Sequence, residues 1–249
     1  MTSDLISLRV LLVFRSAAER DLLRQGAGLA SVPVEVMEAD GTASAESVLA
    51  KGGIDLVLLD ATFSQADKAA ISTAARVVAE RPFVVVIGRD GDGIDVDGSV
   101  SKPATADEAQ STVERCVRTR IPTQVLVVDD SATMRGIVRK ILSGSKFPLE
   151  VSEADEGTKA LQELRNGTFD IVFLDYNMPG LNGFETLSEL RREHPHIAAV
   201  IMTSTDREDF AQRAQQAGAA AFLKKPFFPA DIDAVLYRFY KLEAPPRKA

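Results

Sequence analysis

The chain has 249 residues, 45% of them apolar and 26% charged, an ordinary globular composition that excludes a collagen-like, disordered or disulfide-scaffold protein. Twenty-nine basic residues against 36 acidic ones give a net charge of −7. No Lys/Arg cluster interrupts that balance, which argues against a protein built to track nucleic-acid phosphates. Cys116 is the single cysteine, so no internal disulfide forms and a reducing compartment is expected. The first five residues lack the basic and apolar regions of a signal peptide. The longest apolar runs, such as 83–87 and 197–202, fall far short of the ~20 residues needed to cross a bilayer. The expected location is cytoplasmic.

In chain order, β-rich apolar runs near 9–13, 32–37, 55–59 and 83–87 alternate with helical patterns near 17–27, 64–80 and 106–118. Thr105 followed by Glu108 predicts a capping box for the last of these helices. Pro122, which removes a backbone donor and disfavours helix just before it, marks a join. Beyond it, strands near 125–128, 149–152, 170–174, 198–202 and 220–223 alternate with helices near 131–143, 156–166, 183–193, 206–217 and 229–241. In the last helix Ile232, Val235, Leu236 and Phe239 form one apolar stripe, with Tyr237 and Tyr240 off it, suited to packing or to a partner.

Three strand-like runs repeat at one spacing. Residues 54–60 and 169–175, 10–13 and 125–128, and 83–87 and 198–202 all stand 115 positions apart. A domain-sized period of this kind is a duplication. Near-continuous apolar strands separated by helices predict parallel sheets buried on both faces. The fold class expected is therefore α/β, two flavodoxin-like (βα)5 doubly wound domains in tandem. Residues 1–120 form the first, 124–243 the second, and 244–249 a short flexible tail. Thr203 to Lys225 spans 22 positions in the second copy, but Gly88 to Lys102 spans only 14 in the first. The first copy should thus lack most or all of its fourth helix and expose sheet and core for docking. A Gly/Asp-rich stretch over 89–98 is left as a flexible acidic connector; its likeness to a calcium loop fails because Asp95 stands where that pattern requires glycine.

Doubly wound sheets bind ligands outside the carboxyl ends of their strands. In the second copy those ends carry Asp129-Asp130, Asp175, Thr203 and Lys225. Carboxylates gathered this closely resist joint ionisation unless a cation sits among them. An all-oxygen set without Cys or His suits Mg²⁺ better than zinc. Asp175 could then act as a nucleophile toward phosphorus, with Thr203 and Lys225 bonding the phosphoryl oxygens. His194 and His196 flank Pro195 without further ligands and are read as a surface loop. Cys116 is read as a core thiol.

The stretches 125–135 (VLVVDDSATMR), 174–180 (LDYNMPG), 202–204 (MTS) and 223–227 (LKKPF) together resemble the receiver domain of two-component response regulators over 124–241. The resemblance implies that Asp175 accepts phosphate from a sensor histidine kinase or histidine phosphotransfer protein. It implies Mg²⁺ held by Asp130, Asp175 and the backbone carbonyl of Asn177, with Asp129 acting through water. It makes Thr203 and Phe222 a switch pair, and lets Asn177 and Thr205 tune loss of the phosphate. Carried across by 115, Asp129 and Asp130 become Phe14 and Arg15, Thr203 becomes Gly88, and Asn177 becomes Thr62. Only Asp60 and Lys102 persist. The first copy resembles a degenerate receiver, in which Arg15 is expected to pair with Asp60 in place of the metal.

The expectation is a tandem response regulator with no DNA-binding or enzymatic output domain, since the residues after Leu242 are too few to hold one. Its chemistry would be limited to gaining and losing its own phosphate. Output would pass to a protein partner or a second copy through the last strand and helices of the second domain. A phosphorelay intermediate or sink, and the input half of a diguanylate cyclase, are the alternatives. A haloacid-dehalogenase-type phosphatase would need a carboxylate where Asn177 stands.

Overall fold

A computed structural model describes residues 7–88, 93–205 and 209–245. The chain divides into two compact units, one comprising the residues up to Ile121 together with the segment from Tyr240, the other Pro122–Phe239. In the first, the order is β1 (Leu8–Val13), α1 (Ala17–Ala27), β2 (Val34–Ala39), α2 (Thr42–Leu49), β3 (Leu56–Asp60), α3 (Gln65–Val77), β4 (Phe83–Ile87), β5 (Gly98–Val100) and α4 (Ala106–Arg118). The second runs β6 (Thr123–Val128), α5 (Ala132–Ser143), β7 (Leu149–Ala154), α6 (Gly157–Asn166), β8 (Ile171–Asp175), α7 (Gly183–Glu193), β9 (Ala198–Thr203), α8 (Phe210–Gln216), β10 (Ala221–Lys224) and α9 (Pro229–Tyr240).

Both sheets are parallel and share one topology, β2-β1-β3-β4-β5 and β10-β9-β8-β6-β7. Their registers coincide under the 115-residue shift: Val10 pairs with Leu56, and Val125 with Ile171. Every residue of β3, β4 and β8 is buried, as near-continuous apolar strands require when helices cover both faces. Ser16 and Ser131 cap α1 and α5 by accepting the amides of Glu19 and Met134, a bond that satisfies a donor the helix leaves free. No described helix is long and apolar enough to cross a membrane.

Two elements carry weak sequence signals. Helix α2 is short, rich in alanine and serine, and buries only Ala45 and Leu49, too few for a recognisable apolar period. Strand β5 has three residues, beginning at Gly98. The helix expected over 64–80 ends at Val77, where Val78 turns extended. Of the helix expected over 206–217, residues 206–208 lie outside the described residues, and α8 begins at Phe210.

No helix occurs between β4 and β5 among the described residues, in keeping with the shortened spacing. The gap is filled rather than open. Ile94 and Val96, 7% and 4% exposed, insert among Ala75, Val84 and Val86. Arg76 grips Asp97 at 2.9 Å, while the Asp97 carboxylate accepts the amide of Val84 at 2.8 Å. The described part of the connector, from Gly93 onward, is thus a packed plug. The exposed core expected for docking is covered here, because two apolar side chains do the burying that a helix would otherwise do. The edge of β5 is also occupied: Ser99 and Glu243 exchange both backbone hydrogen bonds, at 3.0 and 2.9 Å. The segment from Tyr240 through Glu243, read from sequence as the end of the second domain, therefore belongs to the first unit; residues 246–249 of the expected tail lie outside the described residues.

Tyr237 and Tyr240 are buried; Tyr237 meets Phe147 edge-to-face at 5.4 Å. Cys116 is wholly buried, and that burial pushes its thiol up to about 12. It should resist alkylation in the native protein and react only on unfolding; rapid native labelling would contradict its burial. Ile94→Ala should destabilise the first unit by about 2–4 kcal/mol in denaturant titrations, the range for truncating a buried aliphatic side chain. An unchanged midpoint would show that the connector does not seal the core.

Candidate functional site

The site lies where β6, β8, β9 and β10 end. Asp175 closes β8 and Asp129 follows β6; they are 4% and 1% exposed, whereas Asp130 is open to solvent. The three carboxylates bring candidate ligand atoms within 4.8 Å of one another, and among the described residues no other such group occurs. The loop between β10 and α9, which contains a cis Lys225–Pro226 bond, carries Lys225 over them. Its ammonium lies 2.7 Å from Asp129 Oδ2 and 2.8 Å from Asp175 Oδ1.

Burial raises the Asp175 carboxyl above the usual range, and the Asp129 charge adds to the rise, while Lys225 and the Asn177 amide oppose it. Burial likewise works against the Lys225 ammonium, but the carboxylates of Asp129 and Asp175 outweigh it and hold its pKa above the ordinary value. Two buried negative charges are therefore held beside a single ammonium, with a third carboxylate at the rim. All-oxygen donors at this spacing fit a hard divalent cation such as Mg²⁺, which would relieve the remaining repulsion.

The backbone around Asp175 leaves little room. A Cβ on Gly183, at the start of α7, would fall 2.5 Å from the Asp175 carbonyl oxygen and 2.7 Å from Tyr176 Cα. Glycine there lets α7 close against the strand end. Beside it Tyr176, Phe184 and Phe210 form an aromatic cluster with ring centres 4.9–5.4 Å apart. Thr203, 1% exposed, ends β9, and its Oγ accepts the amide of Thr205 at 3.0 Å. Phe222 stands on β10 with 43% of its surface exposed. Two residues that motif reading passed over also serve the site. The Ser131 amide donates to Asp129 Oδ1 at 2.9 Å, and Arg135 donates to the Asp129 carbonyl at 2.8 Å.

The same place in the first unit is arranged differently. Phe14 is fully buried where Asp129 stands in the second. Arg15 does not reach Asp60, contrary to expectation: its guanidinium lies over the Phe63 ring at 4.7 Å and bonds Asp67 at 3.2 Å. An arginine too exposed to be drawn into the crevice finds its partners at the rim. The cation beside Asp60 is Lys102, 3.1 Å from Asp60 and 2.7 Å from Glu19. Burial works against its charge, yet these two carboxylates hold it above its usual value. Thr62 completes the enclosure, its amide and hydroxyl donating to the two Asp60 oxygens at 3.2 and 2.6 Å. Gly88, in the position of Thr203, has φ +124°, and a Cβ there would lie 2.5 Å from the Ala61 Cβ. His194 and His196 stand edge-to-face at 6.2 Å, with no further ligand gathered among the described residues.

Residues 125–237 match the response regulator receiver domain, and the chain belongs to that family. The matching part is 35% identical over 120 residues to chemotaxis protein CheY-3 of Vibrio cholerae, covering 47% of this chain and 92% of that protein. It is 37% identical over 106 residues to chemotaxis protein CheY of Pseudomonas aeruginosa, covering 42% and 85%. Across both units, a solved probable two-component system response regulator/GGDEF domain protein superposes with TM-score 0.53 at 24% identity, covering 94% of this chain and 98% of that one. The likeness of fold thus extends over the tandem.

Lys225→Met would leave two buried carboxylates without a counter-charge. It should cost about 3 kcal/mol of stability at neutral pH, as breaking buried pairs does. Because the Asp175 carboxyl is already raised and loses its opposing cation, its protonated form is favoured in the folded state. The deficit should therefore shrink as pH falls through the carboxylate range and grow as pH rises. A deficit independent of pH would rule out carboxylate repulsion as its source.

Proposed function

We propose that the second domain is a phosphoacceptor switch, in which Asp175 takes a phosphoryl group from a sensor histidine kinase or a histidine phosphotransfer protein. The first domain is, in this reading, a degenerate receiver kept for its fold. The observation that carries the proposal is the meeting of a buried Asp175 with Asp129, Asp130 and Lys225 at one strand end. Mg²⁺ is assigned to Asp130, Asp175 and the backbone carbonyl of Asn177, with Asp129 reached through water. When bound, it neutralises the charge that a phosphoryl group brings toward a carboxylate.

Asp175 attacks phosphorus in line: its Oδ–P bond forms as the donor's N–P bond breaks, and the electron pair leaves with the imidazole. Lys225, already over the carboxylates, bonds one phosphoryl oxygen. Thr203, whose Oγ accepts from the Thr205 amide, donates its hydroxyl proton to another. The ring of Phe222, half-exposed on β10, turns inward behind Thr203. Phosphorylation then shifts an existing equilibrium by the difference in its contacts with the two conformations. The output is a change in protein–protein binding through β10 and its flanking helices, where Phe222, Lys224, Phe228 and Asp231 line a surface groove of about 470 Å³. No turnover beyond gain and loss of this phosphate is assigned. In the first domain the Lys102–Asp60–Thr62 arrangement engages both acceptor oxygens, and the acid pair is missing, which supports its reading as inactive.

A second reading, an input pair for a diguanylate cyclase, rests on the GGDEF domain named for the solved chain that superposes on both units; the gene's downstream reading frame decides it. Onward transfer to a histidine carrier is decided by a phosphotransfer assay. Treatment with a small phosphodonor and Mg²⁺ should add one phosphoryl group by mass spectrometry, on Asp175 and not Asp60. Asp175→Asn should remove it, and persistent label would refute the acceptor. Mg²⁺ should raise the melting temperature of the wild type and not of Asp130→Asn, since a ligand of the native state alone stabilises it.

A further inference from the structure

Arg135 projects from the first turns of α5 and bonds two groups at once. Its Nε reaches Glu153 Oε2 at 3.0 Å, and its terminal nitrogen reaches the Asp129 carbonyl at 2.8 Å. Arg139 holds the other oxygen of Glu153 at 3.4 Å. The arrangement recurs in the first unit, 115 residues earlier. Arg20 bonds Glu38 at 2.9 Å and the Phe14 carbonyl, and Arg24 holds the other Glu38 oxygen at 3.5 Å. The first unit lacks the acid pair, so the clamp does not depend on a metal or a phosphate to form. It belongs to the fold, and the second unit has placed acids on its end.

We infer that Arg135, held by Glu153, is the positioning residue for the acid pair, setting the peptide plane from which Asp130 projects. The carbonyl of Asp129 and the amide of Asp130 share one rigid unit. A hydrogen bond to that carbonyl therefore fixes the direction in which the Asp130 backbone sets out. Asp129 needs no such help with its side chain, which Lys225 and the Ser131 amide already hold at 2.7 and 2.9 Å. Asp130, exposed at the rim, has no comparable side-chain partner among the described residues and takes its position from its backbone. The guanidinium brings a positive charge close to a cation site, and Glu153 offsets it; an arginine is needed because only its fork spans both partners. Arg135 acts through this peptide and is assigned no contact with the phosphoryl group.

The inference rests on the Mg²⁺ assignment above, and calorimetric titration of Mg²⁺ into the full chain tests both separately. Arg135→Ala should weaken Mg²⁺ binding about tenfold, as loss of outer partners of a metal site does. Arg135→Lys, which keeps the charge and the fold but not the fork, should fall in the same direction. Phosphodonor labelling should then show a raised Mg²⁺ requirement with the saturated rate preserved. Arg20→Ala serves as the internal control, lowering the melting temperature of the first unit while Mg²⁺ affinity stays at the wild-type value. Unchanged Mg²⁺ affinity in both Arg135 variants would overturn the inference alone. An equal loss in Arg20→Ala would overturn it too, by marking the effect as general destabilisation. A wild type that binds no Mg²⁺ would overturn the metal assignment and this inference with it.

Discussion

Placing carboxylates at the buried ends of parallel strands creates a charge problem that the rest of the second domain is arranged around. Asp129 and Asp175 are almost wholly removed from water, where a lone carboxylate is strongly disfavoured. Lys225 answers them, and it can do so because β10 and the loop after it bring the ammonium over both. One positive charge against two buried acids, with Asp130 added at the rim, leaves the crevice short of cation. That shortage is what a hard divalent cation would relieve, which is why the proposed switch is built on this crevice.

The two halves of the chain resolve this problem in opposite ways from one backbone. In the first, Phe14 and Arg15 stand in place of the acid pair, so a buried ring occupies the position of Asp129 and fewer carboxylates share the crevice. Lys102 then faces Asp60 and Glu19, a closed set of partners. The fold tolerates the exchange because topology and register are carried by the strands, and these keep their apolar character in both copies. Between β4 and β5, where no helix occurs among the described residues, Ile94 and Val96 supply the apolar cover from a short connector.

Much of this was legible in the residues themselves. The repeat at 115 residues, the alternation of apolar strands with helices, and the acidic strand ends are all local patterns, and the structure assembles them as the topology of parallel sheets directs. What escaped reading lacked a period or depended on distant partners. Helix α2 buries too few residues to leave a stripe, and β5 is only three residues long. The rim position of Arg15 turns on Phe63 and Asp67, some fifty residues away. The burial of Ile94 and Val96 could not be told from a composition that is mostly Gly and Asp. Arg135 was visible as a letter following the acid pair; its role needed the carbonyl it bonds, and the matching Arg20 was the available clue.

Gly88 bears on how the two copies could have parted. A hydroxyl-bearing residue cannot simply be put back there: the backbone has turned to φ +124°, and Ala61 stands where a β-carbon would go. An acid pair placed at residues 14 and 15 would not by itself reproduce the arrangement of the second unit unless this turn also rearranged, together with its neighbour. The first domain therefore sits behind a ratchet. No single substitution supplies both movements, so the strand end is committed to glycine at this position whatever stands at residues 14 and 15.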